Sequence, residues 1–270
     1  MESTAQARTN PHGEPVLSLR GISKGFGAVQ ALSGIDLDIY AGEVVAIVGD
    51  NGAGKSTLVK ILAGVHPADA GTISFQDRVV SIPSPAVSRE LGIATVFQDL
   101  ALCDNLDVVS NLFLGREIGT LALDEVEMEE RSWTLLRQLS AKIPSVRLAV
   151  ASLSGGQRQT VAIARSLIGD PTVVILDEPT AALGVAQTAE VLNLVERLRE
   201  RGLGVVLISH NMADVQAVAD RVVVLRLGRN NGEFLVSDVS YEEIIAAITG
   251  ATDNVVTRRA AGQNQEESKS

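Results

Sequence analysis

Short apolar runs recur along the chain, separated by polar and Gly-rich breaks. Residues 16–22, 43–48, 72–75, 91–97, 172–176, 205–209 and 221–225 read as strands. Residues 35–39 alternate apolar and polar side chains, the mark of a half-buried strand. Residues 56–63, 157–168, 185–200 and 212–219 place apolar positions at helical spacing, and a longer helical signal covers 106–141. Strands alternating with helices imply an α/β fold, a parallel or mixed sheet covered by helices. The span 99–152 interrupts the alternation. It lacks strand signals and reads as a helical subdomain set into the α/β core, with acidic residues 124–130 on a solvated face. The single domain so delimited runs from 15 to 250. The polar segments 1–14 and 251–270 are expected to be disordered tails. No internal repeat is apparent.

Composition sharpens this in three places. Aromatic residues are only 3% of the 270, so the core must be aliphatic. The formal charge of −10 shows no basic stripe and argues against nucleic acid as the main partner. No apolar stretch reaches the roughly 18–20 residues that span a bilayer, and residues 1–14 lack the apolar segment of a signal peptide. A soluble, cytoplasmic chain is expected, held at a membrane only through a partner. The one cysteine, Cys103, cannot form an internal disulfide and reads as a small apolar residue.

The most specific chemistry lies after the run 43–48. Gly49, Asp50, Asn51, Gly52, Ala53, Gly54, Lys55 and Ser56 match the pattern G-x-x-x-x-G-K-[ST], followed by Thr57, between a strand and a helix. Glycines let the backbone approach phosphate oxygens, and successive amides at a helix N-terminus form an anion nest. Lys55 adds charge for the β- and γ-phosphates, and the Ser56 hydroxyl suits Mg²⁺, which prefers oxygen ligands. A nucleoside triphosphate, ATP, is the expected substrate.

A second acidic site follows the apolar run 173–176. Strand geometry carries Asp177 to the carboxyl edge of the sheet, where ligands of α/β folds bind. Asp177 suits the Mg²⁺ shell. Glu178, one residue on, points elsewhere and suits polarising an attacking water.

The sequence Leu153-Ser154-Gly155-Gly156-Gln157 precedes the helix 157–168. Ser154 can cap that helix, and the glycines can expose amides to phosphate. One nucleotide does not need two such nests from one chain, so this one is read as serving a nucleotide held by another copy.

With this motif the chain resembles the ATP-binding-cassette (ABC) ATPases over residues 16–248. The resemblance implies a P-loop cassette with a RecA-like core, an antiparallel β part and an inserted helical subdomain. It also implies that Gln98 contacts Mg²⁺ and water, that His210 senses the γ-phosphate, and that Phe26 stacks on adenine where the family more often has Tyr. His12 and His66 are read as structural or surface residues, and Trp133 as packing. One position departs from the family: Gly184 stands where most members carry an Asp that reaches toward the other subunit.

Within the family the chain is similar to the ATPases of monosaccharide importers of the ribose, xylose and fructose type. That likeness rests on residues 98–107, 111–117, 181–184 and 225–232. It implies membrane permease subunits as partners, reached through the region after Gln98, and indirectly a sugar-binding protein. It places the chain at the cytoplasmic face of the cell membrane. Many such importers fuse two cassettes; here a single phosphate loop and a single signature call for a homodimer or a partner cassette. A soluble ABC-type ATPase of translation or DNA repair is the alternative reading.

Overall fold

A computed structural model describes residues 13–119 and 122–251. Nearly all of both expected tails therefore lies outside the described residues. The core is a six-stranded sheet in the order β10(Arg229–Leu235), β9(Arg221–Arg226), β3(Val44–Val48), β8(Gly204–Ile208), β7(Val173–Asp177) and β6(Ile93–Val96). All neighbours pair in parallel except β9 and β10. A four-stranded antiparallel sheet lies apart from it, in the order β2(Val29–Ile39), β1(Leu17–Phe26), β4(Ala70–Phe75) and β5(Arg78–Val80).

The apolar runs are continuous because the central strands are buried on both faces. Val44, Ala46, Val48, Val174, Leu176, Val205 and Leu207 enter one cluster, with the helices α5(Gly155–Ser166), α6(Val185–Glu200) and α7(Met212–Val218). Their neighbours Val45, Ile47, Val173, Ile175, Val206 and Ile208 enter the other, beneath α1(Lys55–Leu62) and the antiparallel sheet. The period of two divides each strand between two cores.

The expected helix 106–141 is two helices, α3(Val108–Phe113) and α4(Glu125–Gln138). Leu114 leaves helical geometry (φ −53°, ψ 118°), and Asp107 and Asp124 each cap a new start by accepting from the backbone N–H three residues on. Leu112, Leu136 and Ile143 join the same cluster as Val174 and Leu176, so the span 99–152 packs directly into the sheet's core. The expected strand 91–97 is shorter, because α2(Pro85–Glu90) takes the preceding residues. Ser84 caps it and Pro85 opens it. Strands β5 and β10 carry weak apolar signals and were not expected; the helix α8(Tyr241–Thr249), with Ile244 and Ala247 buried, was not expected either.

Two polar links join the sheets. Arg221, 6% exposed and paired with buried Glu43, donates from Nη2 to Asp38 O of β2 at 2.6 Å. The Asn230 side chain pairs with both backbone groups of Asp36, at 2.9 Å each.

Candidate active site

Four adjacent strands, β3, β8, β7 and β6, end level with one another. Ile47 pairs with Ile208, Ile208 with Asp177, and Leu176 with Val96. Their carboxyl ends launch, in spatial order, the phosphate loop, the segment bearing His210, the Asp177-Glu178 pair, and Gln98. Residues far apart in sequence thus meet along one edge.

The loop is shaped by close packing as much as by backbone freedom. A Cβ on Gly49 (φ +149°) would lie 2.2 Å from the Leu225 carbonyl oxygen. One on Gly54 (φ +106°) would lie 2.5 Å from Leu32 Cδ2. Gly52 has open space, and only its φ of +83° asks for glycine. The turn between β9 and β10 ties the loop to β2: Gly228 N–H donates to Ala53 O, and Ser33 N–H donates to Gly228 O. Lys55 Nζ donates to Gly49 O at 2.5 Å and to Asp50 O at 3.1 Å, so its ammonium lies folded across the cradle. Among the described helices, α2, α3, α4, α5, α7 and α8 carry a side-chain cap at the N-terminus. The two without one are α1, which opens at the cradle, and α6, which begins after Gly184. At α1 the first-turn amides are left for an anion.

Asp177 ends β7 on the face of Val173 and Ile175, the side covered by α1. Burial and the neighbouring Glu178 raise its carboxyl above the ordinary value, while Lys55 and Lys60 pull the other way. Among the described residues no hydrogen bond reaches this carboxylate. Glu178 sits in the left-handed region (φ 52°), a conformation that costs a non-Gly residue about 1–2 kcal/mol. Its N–H donates to Ile208 O, and its Oε2 lies 2.6 Å from His210 Nδ1. The carboxylate is 15% exposed and the imidazole 71%, so the pair stands at the mouth of the site.

A third acid ties together the two segments that carry this pair, and sequence reasoning missed it. Asp214, 5% exposed, accepts from Thr180 Oγ1 at 2.6 Å and from Asn211 Nδ2 at 3.0 Å. Asn211 caps α7 beside His210, and Thr180 lies two residues past Glu178. The only sequence signal was the position of Asp214, one helical turn after His210.

Ser154 caps α5 in a reciprocal capping box with Gln157, whose side chain also donates to Lys142 O. Gly155 is exposed, whereas Gly156 is buried. A Cβ on Gly156 would lie 3.1 Å from Gln187 Cβ. That glycine lets α6 approach α5; it does not bare an amide to solvent. Gln98 is exposed just beyond β6, and Phe26 is 45% exposed at the end of β1. Ser56 is exposed at the start of α1, and Thr57 is half-buried behind it.

Gly184 has φ −76° and no atom within 4 Å of an added Cβ. Nothing local requires glycine there.

The comparisons with known proteins agree with this fold. The family described as ABC transporter matches residues 32–181, more than half of the chain. This chain belongs to the ABC transporter family. Its fold is similar to the ADP conformation of an ATP-binding cassette of an ABC transporter. The TM-score is 0.76 at 27% identity, covering 87% of this chain and 95% of that one. It is 44% identical to the xylose/arabinose import ATP-binding protein XylG of Sulfolobus acidocaldarius, over 87% of this chain and 94% of the relative. It is also 44% identical to the fructose import ATP-binding protein FrcA of Rhizobium meliloti, over 89% and 96%. A dimeric cassette in a post-hydrolysis state, bound to ADP and Pi, matches with a TM-score of 0.69 at 26% identity, covering 82% of this chain and 98% of that one. Among the described residues no helix is long and apolar enough to cross a membrane.

Proposed function

We propose that this chain is the ATP-hydrolysing subunit of an ABC importer of a simple sugar, working as a pair of cassettes on a membrane permease. The observation that carries the hydrolytic part is the single edge at which Lys55, Asp177, Glu178 and His210 converge. The sugar part is supported by the xylose/arabinose and fructose import relatives, which match nearly full length. They favour import over the translation and repair alternative.

In this reading the amides of residues 49–57 and the Lys55 ammonium hold the β- and γ-phosphates. Phe26 offers its open surface to adenine. Glu178 accepts the proton of the attacking water, His210, its Nδ1 bonded to Glu178, holds that carboxylate in place beside the γ-phosphoryl group, and the Lys55 ammonium meets the charge that develops there. The oxygens of Ser56, Asp177 and Gln98 form a donor set that suits Mg²⁺, and among the described residues no hydrogen bond competes for the desolvated Asp177 carboxylate. When bound there, Mg²⁺ neutralises phosphate charge. Ser154, Gly155 and Gln157 of one copy face the nucleotide of the other at the N-terminus of α5, and Gly156 keeps α6 packed behind them. The helical segment 99–152 relays the state of Gln98 outward. A groove of about 670 Å³ opens there, lined by Phe97, Asp99, Leu100, Leu114 and Arg116, and receives the permease.

Reconstitution with the permease and binding protein tests this. ATP hydrolysis should rise when the binding protein carries its sugar, and Lys55→Ala should remove the response by weakening nucleotide binding. Hydrolysis indifferent to any loaded sugar-binding protein would count against sugar import.

A further inference from the structure

The loop after α1 folds back onto the end of β1, beside Phe26. It is anchored to the phosphate-binding helix, because His66 N–H donates to Lys60 O at 3.2 Å. It is anchored to β1 as well, because Asp69 N–H donates to Ser23 O at 2.9 Å. The Asp69 carboxylate then closes a clamp. Oδ1 takes Lys24 Nζ at 2.7 Å, and Oδ2 takes the Gly25 N–H at 2.7 Å. The hydrogen bond from Lys24, and next that from Gly25, hold the Asp69 carboxyl below its ordinary value.

Lys24 is only 9% exposed, and burial of an ammonium is tolerated when a carboxylate meets it. Its Nζ stands 5.5 Å from the centroid of the Phe26 ring, over one face. The His66 ring meets Phe26 edge to face, with centroids 5.3 Å apart and planes at 71°. Phe26 nonetheless keeps 45% of its surface exposed. An unsupported Phe at a strand end would sample several rotamers, and ordering it would cost binding free energy. Here the ring is held beforehand, with open aromatic surface left over.

We propose that His66 and Asp69 are positioning residues of the adenine platform, fixing the Phe26 ring and tying it to the helix that carries Lys55. This rests on the reading of Phe26 as the adenine contact. His66 orients the ring, and Asp69 holds the backbone of Gly25 and the Lys24 cation that supports it. The loop 64–69 makes one rigid body of the base and phosphate halves of the site.

Inorganic tripolyphosphate separates the two halves, because it fills the phosphate cradle and has no base. Calorimetric titration of the full chain with ATP and with tripolyphosphate, both with Mg²⁺, reads the ratio of the two affinities. His66→Ala should weaken ATP by about two- to twelvefold, the worth of one aromatic pair, and leave tripolyphosphate unchanged. His66→Phe should restore ATP affinity by restoring an edge-on ring. Asp69→Asn should lower the ratio in the same direction. Phe26→Ala is the reference. If it lowers the ratio and both His66→Ala and Asp69→Asn leave it at the wild-type value, the positioning role is overturned and the platform stands. If Phe26→Ala leaves the ratio unchanged, the platform reading falls and the proposal with it. A loss of both affinities in parallel in His66→Ala, with His66→Phe failing to restore either, would mark His66 as a folding residue and also overturn the proposal.

Discussion

Glu178 Oε2 and His210 Nδ1 lie 2.6 Å apart, although the two residues come from different strand ends of the sheet. A carboxylate that shares a hydrogen bond with an imidazole is oriented by it, and the imidazole's tautomer is set in return. The two therefore act as a unit. Glu178→Gln and His210→Ala should each lower kcat for ATP hydrolysis by about 10²–10⁴-fold while ATP affinity changes little. The double variant should be no slower than the slower single one. Steady-state phosphate release checks this, and strictly multiplicative losses would show that the residues work independently.

Asp214 extends that unit into the protein. Replacing it with Ala strands the Thr180 hydroxyl and the Asn211 amide, at a cost of about 1–3 kcal/mol. Asp214→Ala should therefore lower Tm by several degrees. It should also lower kcat more than it raises KM, since the Glu178 and His210 segments would no longer be held together. A variant with reduced Tm and wild-type kcat at low temperature would confine Asp214 to stability.

Two glycines of the site should behave in opposite ways. Gly49→Ala drives a Cβ against the Leu225 carbonyl in a left-handed backbone, and should cost about 2–4 kcal/mol in urea denaturation. Gly184→Asp meets open space at an ordinary φ and supplies α6 with its missing N-cap. A gain of a few tenths of a kcal/mol is expected. Destabilisation by Gly184→Asp would reveal a constraint on that position beyond its local geometry.

The contrast shows which features were legible in the sequence. The phosphate loop and the strand ending at Asp177 were readable because their chemistry is local: a fixed spacing of glycines, and an apolar run that stops at an acid. The two-sided burial of β3, β7 and β8 also left its mark, as unbroken apolar runs. What stayed hidden is carried by contacts between distant segments. Nothing near Asp214 announces Thr180, and nothing near His66 announces Phe26. The break between α3 and α4 was missed because the apolar period persists across it. Gly115 and Gly119 and the caps Asp107 and Asp124 mark it, but acidic residues crowd that stretch and obscure the caps. Gly156 was misread because a glycine that admits a neighbouring helix looks, in sequence, the same as one that frees an amide.

Asp177 allows the last prediction, a dependence of stability on pH. Burial, with Glu178 adding to it, raises its carboxyl above the ordinary 3.8. The folded chain therefore binds this proton more tightly than the unfolded chain does. The carboxylate costs nothing below 3.8. Its cost grows as pH rises from 3.8 through the folded value, and it is fully present at neutral pH. Asp177→Asn removes the charge and keeps the shape. In the nucleotide-free, Mg²⁺-free chain it should raise Tm at pH 7, and that gain should shrink as the medium is acidified toward 3.8. The same variant should lose the stabilisation that Mg²⁺ and ATP give the wild type, since ligand binding to the folded state is what offsets the buried charge. Thermal denaturation at several pH values, with and without Mg²⁺ and ATP, measures both effects. A gain in Tm equal at pH 7 and near 3.8 would mean that the Asp177 charge is not what strains the fold.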